Sequence, residues 1–344
     1  MEFIRTRLGE FGVSNVFTDE WGNLLALFPA FGTRRDFILL VAEVGDADYS
    51  QLGNSVHLSG ERASGNGLGE RSLGAAALLV FSEFAQATGF HLDKNLLVVF
   101  TRSSSVDEPE EAFRHFLDGW GDRISCAIFV RGTGVGIVET QQVGSYRLSV
   151  VVNSEDKEML SPGSLVSAAS ILGEIASQVG NLAWDEHKTA SVNIARMEAG
   201  MGFGHWATEA QMDFELFADN QKVLESIKHE VTQIIEKTPL GSKTKIDTLV
   251  RFKRSVGSPE LNQPILDALR TALAKTVIKP TPGFVSDKVA LLNEKGIPAV
   301  AVGITRLTSN LKTDEIELSP IASGFRQLLL VVEGASATTA RRER

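Results

Sequence analysis

Four stretches of the chain are apolar at every position: Phe37-Ile38-Leu39-Leu40-Val41-Ala42, Leu96-Leu97-Val98-Val99-Phe100, Ala127-Ile128-Phe129-Val130 and Ala299-Val300-Ala301-Val302. Short runs without polar alternation predict strands covered on both faces. Helical patterns at 3–12, 75–85, 112–117, 261–274, 290–294 and 321–332 separate or flank them. A hairpin is expected near the start, with strands at 13–17 and 24–28 around Asp19-Glu20-Trp21-Gly22-Asn23. Buried strands alternating with helices predict an α/β fold, a mainly parallel sheet with helices on both faces.

The middle of the chain follows another rhythm. Residues 146–152 alternate like a half-exposed strand, 165–179 suit a helix, and 189–197 and 211–217 suit strands. A helix at 221–236 and a strand at 245–254 complete the order β-α-β-β-α-β, the split ferredoxin-like unit. The α/β pattern then resumes, so this α+β domain is inserted. The expected boundaries are 1–143 with 257–344 for the α/β domain and 144–256 for the insertion. The polar stretch 335–344 is expected to be a disordered tail.

Composition narrows the partners. The chain has 344 residues, more than one core usually holds, which agrees with two domains. Its net charge of -9 disfavours nucleic acid and anionic membranes as partners. Cys126 is the single cysteine, so no disulfide or cysteine-based zinc site forms within one chain. No signal peptide and no membrane-spanning run stand out, and a cytoplasmic protein is expected.

Candidate chemistry gathers at Gly65-Asn66-Gly67-Leu68-Gly69-Glu70-Arg71-Ser72-Leu73-Gly74. Four glycines in ten residues predict a tight, backbone-rich loop. It presents one carboxylate, Glu70, at the start of a buried helix, or is merely a tight turn. Phosphate is disfavoured, because the dinucleotide and nucleotide loop endings are missing and the acid repels it.

In order, these motifs resemble the two-zinc aminoacylase and exopeptidase family that includes peptidase T, acetylornithine deacetylase and carboxypeptidase G-type enzymes. Asp19 to Leu24 is similar to its D-x-x-G-N-L hairpin, and the glycine loop to its G-x-G-x-G-D-N-S-L-G. Gly144-Ser145-Tyr146-Arg147 resembles the entry to its inserted domain. Ser286-Asp287 and Gly296-Ile297-Pro298-Ala299-Val300-Ala301-Val302-Gly303 resemble its S-D and G-I-P-A-V-x-x-G stretches. Asp314-Glu315-Ile316 fits the start of its final helical segment. The resemblance spans nearly the whole chain, apart from the usual first helix before Phe3.

The resemblance implies a site of histidines, acidic ligands and one general-base glutamate, and here the positions carry other residues. The first histidine position falls on Glu43, with the aspartate after it near Gly45 or Asp46. The bridging aspartate becomes Glu70. The general base and its neighbouring ligand become Ser104 and Ser105, the next acidic ligand becomes Arg131, and the last histidine becomes Leu311. Serine is no general base at neutral pH, and losing such a group typically costs about 10²–10⁴ in rate. Zinc takes imidazole, thiolate or carboxylate, which leucine and arginine do not supply. An arginine about 4 Å from a dication meets repulsion of about 8 kcal/mol at an effective dielectric of 20.

Ordinary roles compete with each of these assignments. Glu43, Asp46, Asp48 and Glu70 could form a carboxylate cluster for Mg²⁺ or Ca²⁺, or be solvated loop charges with Glu70 paired to Arg71 or Arg131. The Ser103–Ser105 run could hold a nucleophile, or be a loop after a strand. None of the six histidines, His205 beside Trp206 included, coincides with a ligand position. Residues 153–159 lack the histidine that the family uses across its dimer, and Phe217 replaces a usual arginine.

The expectation is a catalytically inactive homologue, with no zinc and no catalytic residue, acting as a dimeric binding or partner protein. A peptide or amino-acid-derived molecule is its expected ligand. The alternative is an active hydrolase of peptide or N-acyl amino acid amide bonds with an altered metal site. Dimerisation is expected through the insertion, whose helix carries Leu165, Ala168, Ala169 and Leu172 on one face, unless that face only covers its own sheet.

Overall fold

The structure is a computed structural model that describes residues 1–30, 36–45, 55–90, 92–102, 110–141, 143–154, 167–182, 190–203, 205–240, 244–257, 259–307 and 314–339. Its contacts divide the chain into two units, Met1–Gln141 with Ser258–Arg344, and Gln142–Gly257.

The first unit opens with α1 (Glu2–Glu10), β1 (Val16–Thr18), β2 (Leu24–Phe28), β3 (Phe37–Val44), β4 (His57–Ser59) and β5 (Arg62–Gly65). It continues with α2 (Leu73–Thr88), β6 (Asn95–Arg102), α3 (Glu111–Trp120), β7 (Ile124–Thr133) and β8 (Ile137–Gln141). After the second unit it resumes with α6 (Pro259–Ala274), β13 (Thr281–Phe284), α7 (Asp287–Glu294), β14 (Ala299–Thr305), β15 (Asp314–Glu317) and α8 (Ile321–Thr339). The four apolar runs lie in β3, β6, β7 and β14, which are mutually parallel in the sheet β1-β2-β6-β3-β7-β14. Residues of α1, α2, α6 and α8 build the core on one face, and those of α3 and α7 the core on the other. That double covering is why these strands carry no polar alternation. The α/β architecture expected from the apolar runs is the one observed.

The hairpin turn shows why its sequence reads as it does. Asp19 accepts the N–H groups of Trp21 and Asn23 at 3.0 and 2.8 Å, and Gly22 takes φ 82°. Asn23 then donates to the Ala112 carbonyl at 2.9 Å, tying the turn to α3.

The second unit consists of β9 (Gly144–Ser154), α4 (Ala168–Gly180), β10 (Ser191–Ala199), β11 (Glu209–Ala218), α5 (Gln221–Lys237) and β12 (Thr244–Arg254). Its antiparallel sheet has the order β10-β11-β9-β12, the split β-α-β-β-α-β arrangement. Both helices pack on one face of it, and Asn220 caps α5 through the Lys222 N–H at 2.9 Å.

Several expectations need correction. The strand expected at 13–17 is Val16–Thr18, because Gly12 at φ 79° closes α1 and the Val13 N–H is spent on the Leu8 carbonyl. Asp314-Glu315-Ile316 does not start a helix but forms β15, paired with β5. The expected disorder from residue 335 is overturned to Thr339, because α8 continues and buries Ala335 and Ser336. The helix expected from 165 is α4; Leu165 lies outside the described residues, and Ala168 and Leu172 are buried against the unit's own sheet with Ile171, Ile175 and Val179. That helical face is therefore occupied by its own domain. Among the described residues, no helix is long and apolar enough to cross a membrane.

Candidate functional site

In an open parallel sheet, ligands bind outside the carboxyl ends of the strands where the chain winds in opposite directions. Here β3 leads through α2 to β6 on one side, whereas β7 leads onward to β14 on the other, so the switch lies between β3 and β7. The two strands pair only as far as Val41 and Phe129. Beyond that point β3 stays with β6 to Val44 and Arg102, and β7 stays with β14 to Thr133 and Thr305. That unpaired gap between their carboxyl ends is where sheets of this kind place a ligand crevice.

The alternation of a strand decides what lines it. Val41, Val99 and Phe129 belong to the core under α3 and α7, so two residues further on Glu43, Thr101 and Arg131 stand on that same face. Glu43 is half-buried and has no ion-pair or hydrogen-bond partner among the described residues. Thr101, its neighbour in register, is fully buried, with no partner for its Oγ1 among the described residues.

The side chains of Glu70 and Arg71 lie outside the described residues, so the pairing expected for Glu70 does too; Arg131 itself has a described partner. Its Nη1 donates to Glu139 Oε1 at 3.2 Å, so its partner is the β8 glutamate. Glu139 is buried and also accepts the Ser286 N–H at 3.1 Å, at the start of α7. Burial pushes its carboxyl above the usual glutamate range, against the opposing pull of the Arg131 charge and the Ser286 N–H. Gly134, at φ 87°, leaves room for the guanidinium, since a Cβ there would lie 2.6 Å from Nη2. Lys288 of α7 is a buried cation, its Nζ 5.6 Å from the centre of the Phe113 ring.

The glycine loop forms a single π-helical turn, Leu68–Ser72, entered through Gly67 at φ 60° and continuing into α2. Its other glycines serve close approach of backbones. A Cβ at Gly74 would come within 2.7 Å of the Val130 carbonyl, and one at Gly132 within 1.8 Å of the Gly69 carbonyl. The Gly69 N–H donates to Asp314 Oδ2 at 3.0 Å. The loop backbone on either side of Glu70, at Gly69 and Gly74, is thereby close to β7 at Val130 to Gly132.

The remaining candidates do not join this group. Asp46, Asp48, the Ser103–Ser105 run with Ser104 and Ser105, and Leu311 lie outside the described residues. His91 and His187 do so too; His115 stacks on Trp21 at 3.6 Å, His57 and Ser55 approach to 3.4 Å, and His205 and His229 belong to the second unit. Among the described residues, no three His, Cys, Asp or Glu side chains converge as they would around a metal ion. Sequence reasoning missed Glu139 and Lys288. Their only signal was a charge bordering a short apolar stretch, Glu139 after Ile137-Val138 and Lys288 before Val289-Ala290.

No family model matches the chain, and no curated protein matches it. Solved structures do. It is similar to the aminopeptidase PepT from Bacillus cereus, at 15% identity over 97% of this chain and 92% of that one, with a TM-score of 0.72. A tripeptidase from Staphylococcus aureus aligns at 14% identity over 98% and 92%, with a TM-score of 0.75. The Bacillus subtilis YxeP protein, a dinuclear metal-binding peptidase of the M20 family, aligns at 14% over 98% and 91%, with a TM-score of 0.65. Across nearly its whole length, therefore, this chain has the fold of those peptidases, in agreement with the resemblance to two-zinc aminoacylases and exopeptidases.

Proposed function

We propose that this protein is a non-hydrolytic relative of zinc-dependent peptidases and amidohydrolases, acting as a dimeric binding or partner protein. The observation that carries the reading is Arg131. By resemblance it stands where an acidic metal ligand is expected, and its guanidinium is fixed by a buried glutamate rather than turned to solvent. A cation there opposes a dication and donates nothing to it. With Glu43 and Glu70 at two further ligand positions, Ser105 and Leu311 at others and Ser104 at the general-base position, these residues do not fit a two-zinc centre. The first unit is then a degenerate catalytic-type domain, and the second a lid and dimerisation domain.

Metal analysis of protein purified without chelators tests this, together with peptide and N-acyl amino acid hydrolysis assayed with added zinc. The expected result is substoichiometric zinc and no turnover above the metal-only control. Two stoichiometric zincs, or zinc-dependent turnover, would overturn it in favour of an active hydrolase.

A further inference from the structure

We infer that the crevice between β3 and β7 binds a small zwitterion, its ammonium group on Glu43 and its carboxylate on Arg131. The inference rests on the reading that no zinc pair occupies this site. Among the described residues the half-buried Glu43 carboxylate has no ion-pair or hydrogen-bond partner, so it is open to a cation. A divalent metal needs several donors, and among the described residues no such group converges. An ammonium needs fewer, and as a monocation it meets half the repulsion from Arg131 that a dication does.

A bare amine is also disfavoured, because Arg131 stands across the crevice. A bare anion is disfavoured by Glu43. Among the described residues Arg131 makes one hydrogen bond, from Nη1 to Glu139, which leaves further N–H groups to meet a ligand carboxylate. Thr101 is an independent sign of an unfilled polar site: its Oγ1 is buried beside Glu43 with no partner among the described residues.

Titration calorimetry with the standard L-amino acids, on protein whose zinc content is measured in the same sample, tests the inference. Saturable binding of at least one amino acid is expected. N-acetylation, carboxamide formation or Glu43→Gln should each weaken it by about tenfold to a hundredfold, the worth of one charge-assisted hydrogen bond. Equal binding of the matching dipeptide would overturn the placing of both charges within one residue's span. Zinc-free protein that binds no amino acid, or folded Glu43→Gln that binds as the wild type does, overturns this inference alone. Two stoichiometric zincs overturn the reading beneath it.

Discussion

The two large sheets solve the same packing problem to different extents. In the first unit, β3, β6 and β7 are sealed on both faces, and Leu39, Leu40, Val98 and Val99 are wholly buried. Polar chemistry is thereby excluded along the strands and collects at their carboxyl ends, where Glu43, Thr101 and Arg131 stand. In the second unit, helices cover one face only. The other carries a cross-strand polar ladder, with Arg147 and Asn193 donating to Glu215, and Ser149, which accepts from Arg251, donating to Asp213. A doubly covered sheet confines function to its ends, whereas a singly covered one offers a face and two edges.

The sharpest way to break that contrast is to truncate one apolar side chain in each sheet. Leu39→Ala in β3 should cost about 2–5 kcal/mol of stability, because the cavity is enclosed on all sides. Val250→Ala in β12, where the side chain is 53% exposed, should stay within about 0.5 kcal/mol. Urea denaturation of the two variants measures both, and comparable losses would show that β12 is covered in solution.

A second, smaller effect tests the end of the first sheet. Arg131→Met strips the partner from buried Glu139 and should cost about 1–3 kcal/mol, less than a fully enclosed pair because Arg131 is 28% exposed. The pH dependence has a definite sign. A carboxyl whose pKa is raised on folding holds its proton in the folded state after the unfolded chain has released it. Stability contributed through Glu139 therefore falls as pH climbs from the ordinary glutamate value, about 4.3, towards the raised one. Glu139→Gln should remove that fall, and stability curves that stay parallel over this window would count against it.

These residues also mark how far the sequence could be read. Strands buried on both faces were legible because double covering forbids polar residues, so β3, β6, β7 and β14 appear as unbroken apolar runs. The parallel ribbon of β8 and β13 was not, since Thr281-Pro282-Gly283-Phe284 has neither alternation nor length. With β8 hidden, nothing in the sequence ties Glu139 to Arg131, and the arginine reads only as one of two partners for Glu70. In α4 the pattern was correct but ambiguous. An apolar helical stripe looks the same whether it covers its own sheet or a partner, and only the fold shows that Ala168, Ile171 and Leu172 cover their own. The glycine loop was legible as glycine-rich yet not as close-packed, because the backbone it approaches, Val130 to Gly132, is remote in sequence.

The smallest effect on stability is expected at the edge of the second sheet, and there the oligomeric state is the readout. In β12, Thr248 and Val250 pair with buried Val150 and Leu148 yet are themselves exposed, so the helical cover that reaches Ile246 stops short of the strand's centre. Leu249 on the opposite face is 45% exposed. An edge strand of eleven residues with apolar side chains on both faces is a template for pairing unless something protects it. Its own charges, Lys245, Asp247, Arg251, Lys253 and Arg254, cluster towards the two ends and leave Thr248-Leu249-Val250 as an uncharged centre. A two-fold axis through that centre would pair β12 with a second β12 antiparallel, the closed symmetry most homo-oligomers adopt. Val250→Lys puts two like charges near that axis in such a dimer while altering an exposed position in a monomer. Light scattering at micromolar concentration should therefore give a dimer mass for the wild type and a monomer mass for the variant, with unfolding shifted by no more than about 0.5 kcal/mol. A wild type that is strictly monomeric would remove the dimer, and a variant that stays dimeric would move the interface off β12.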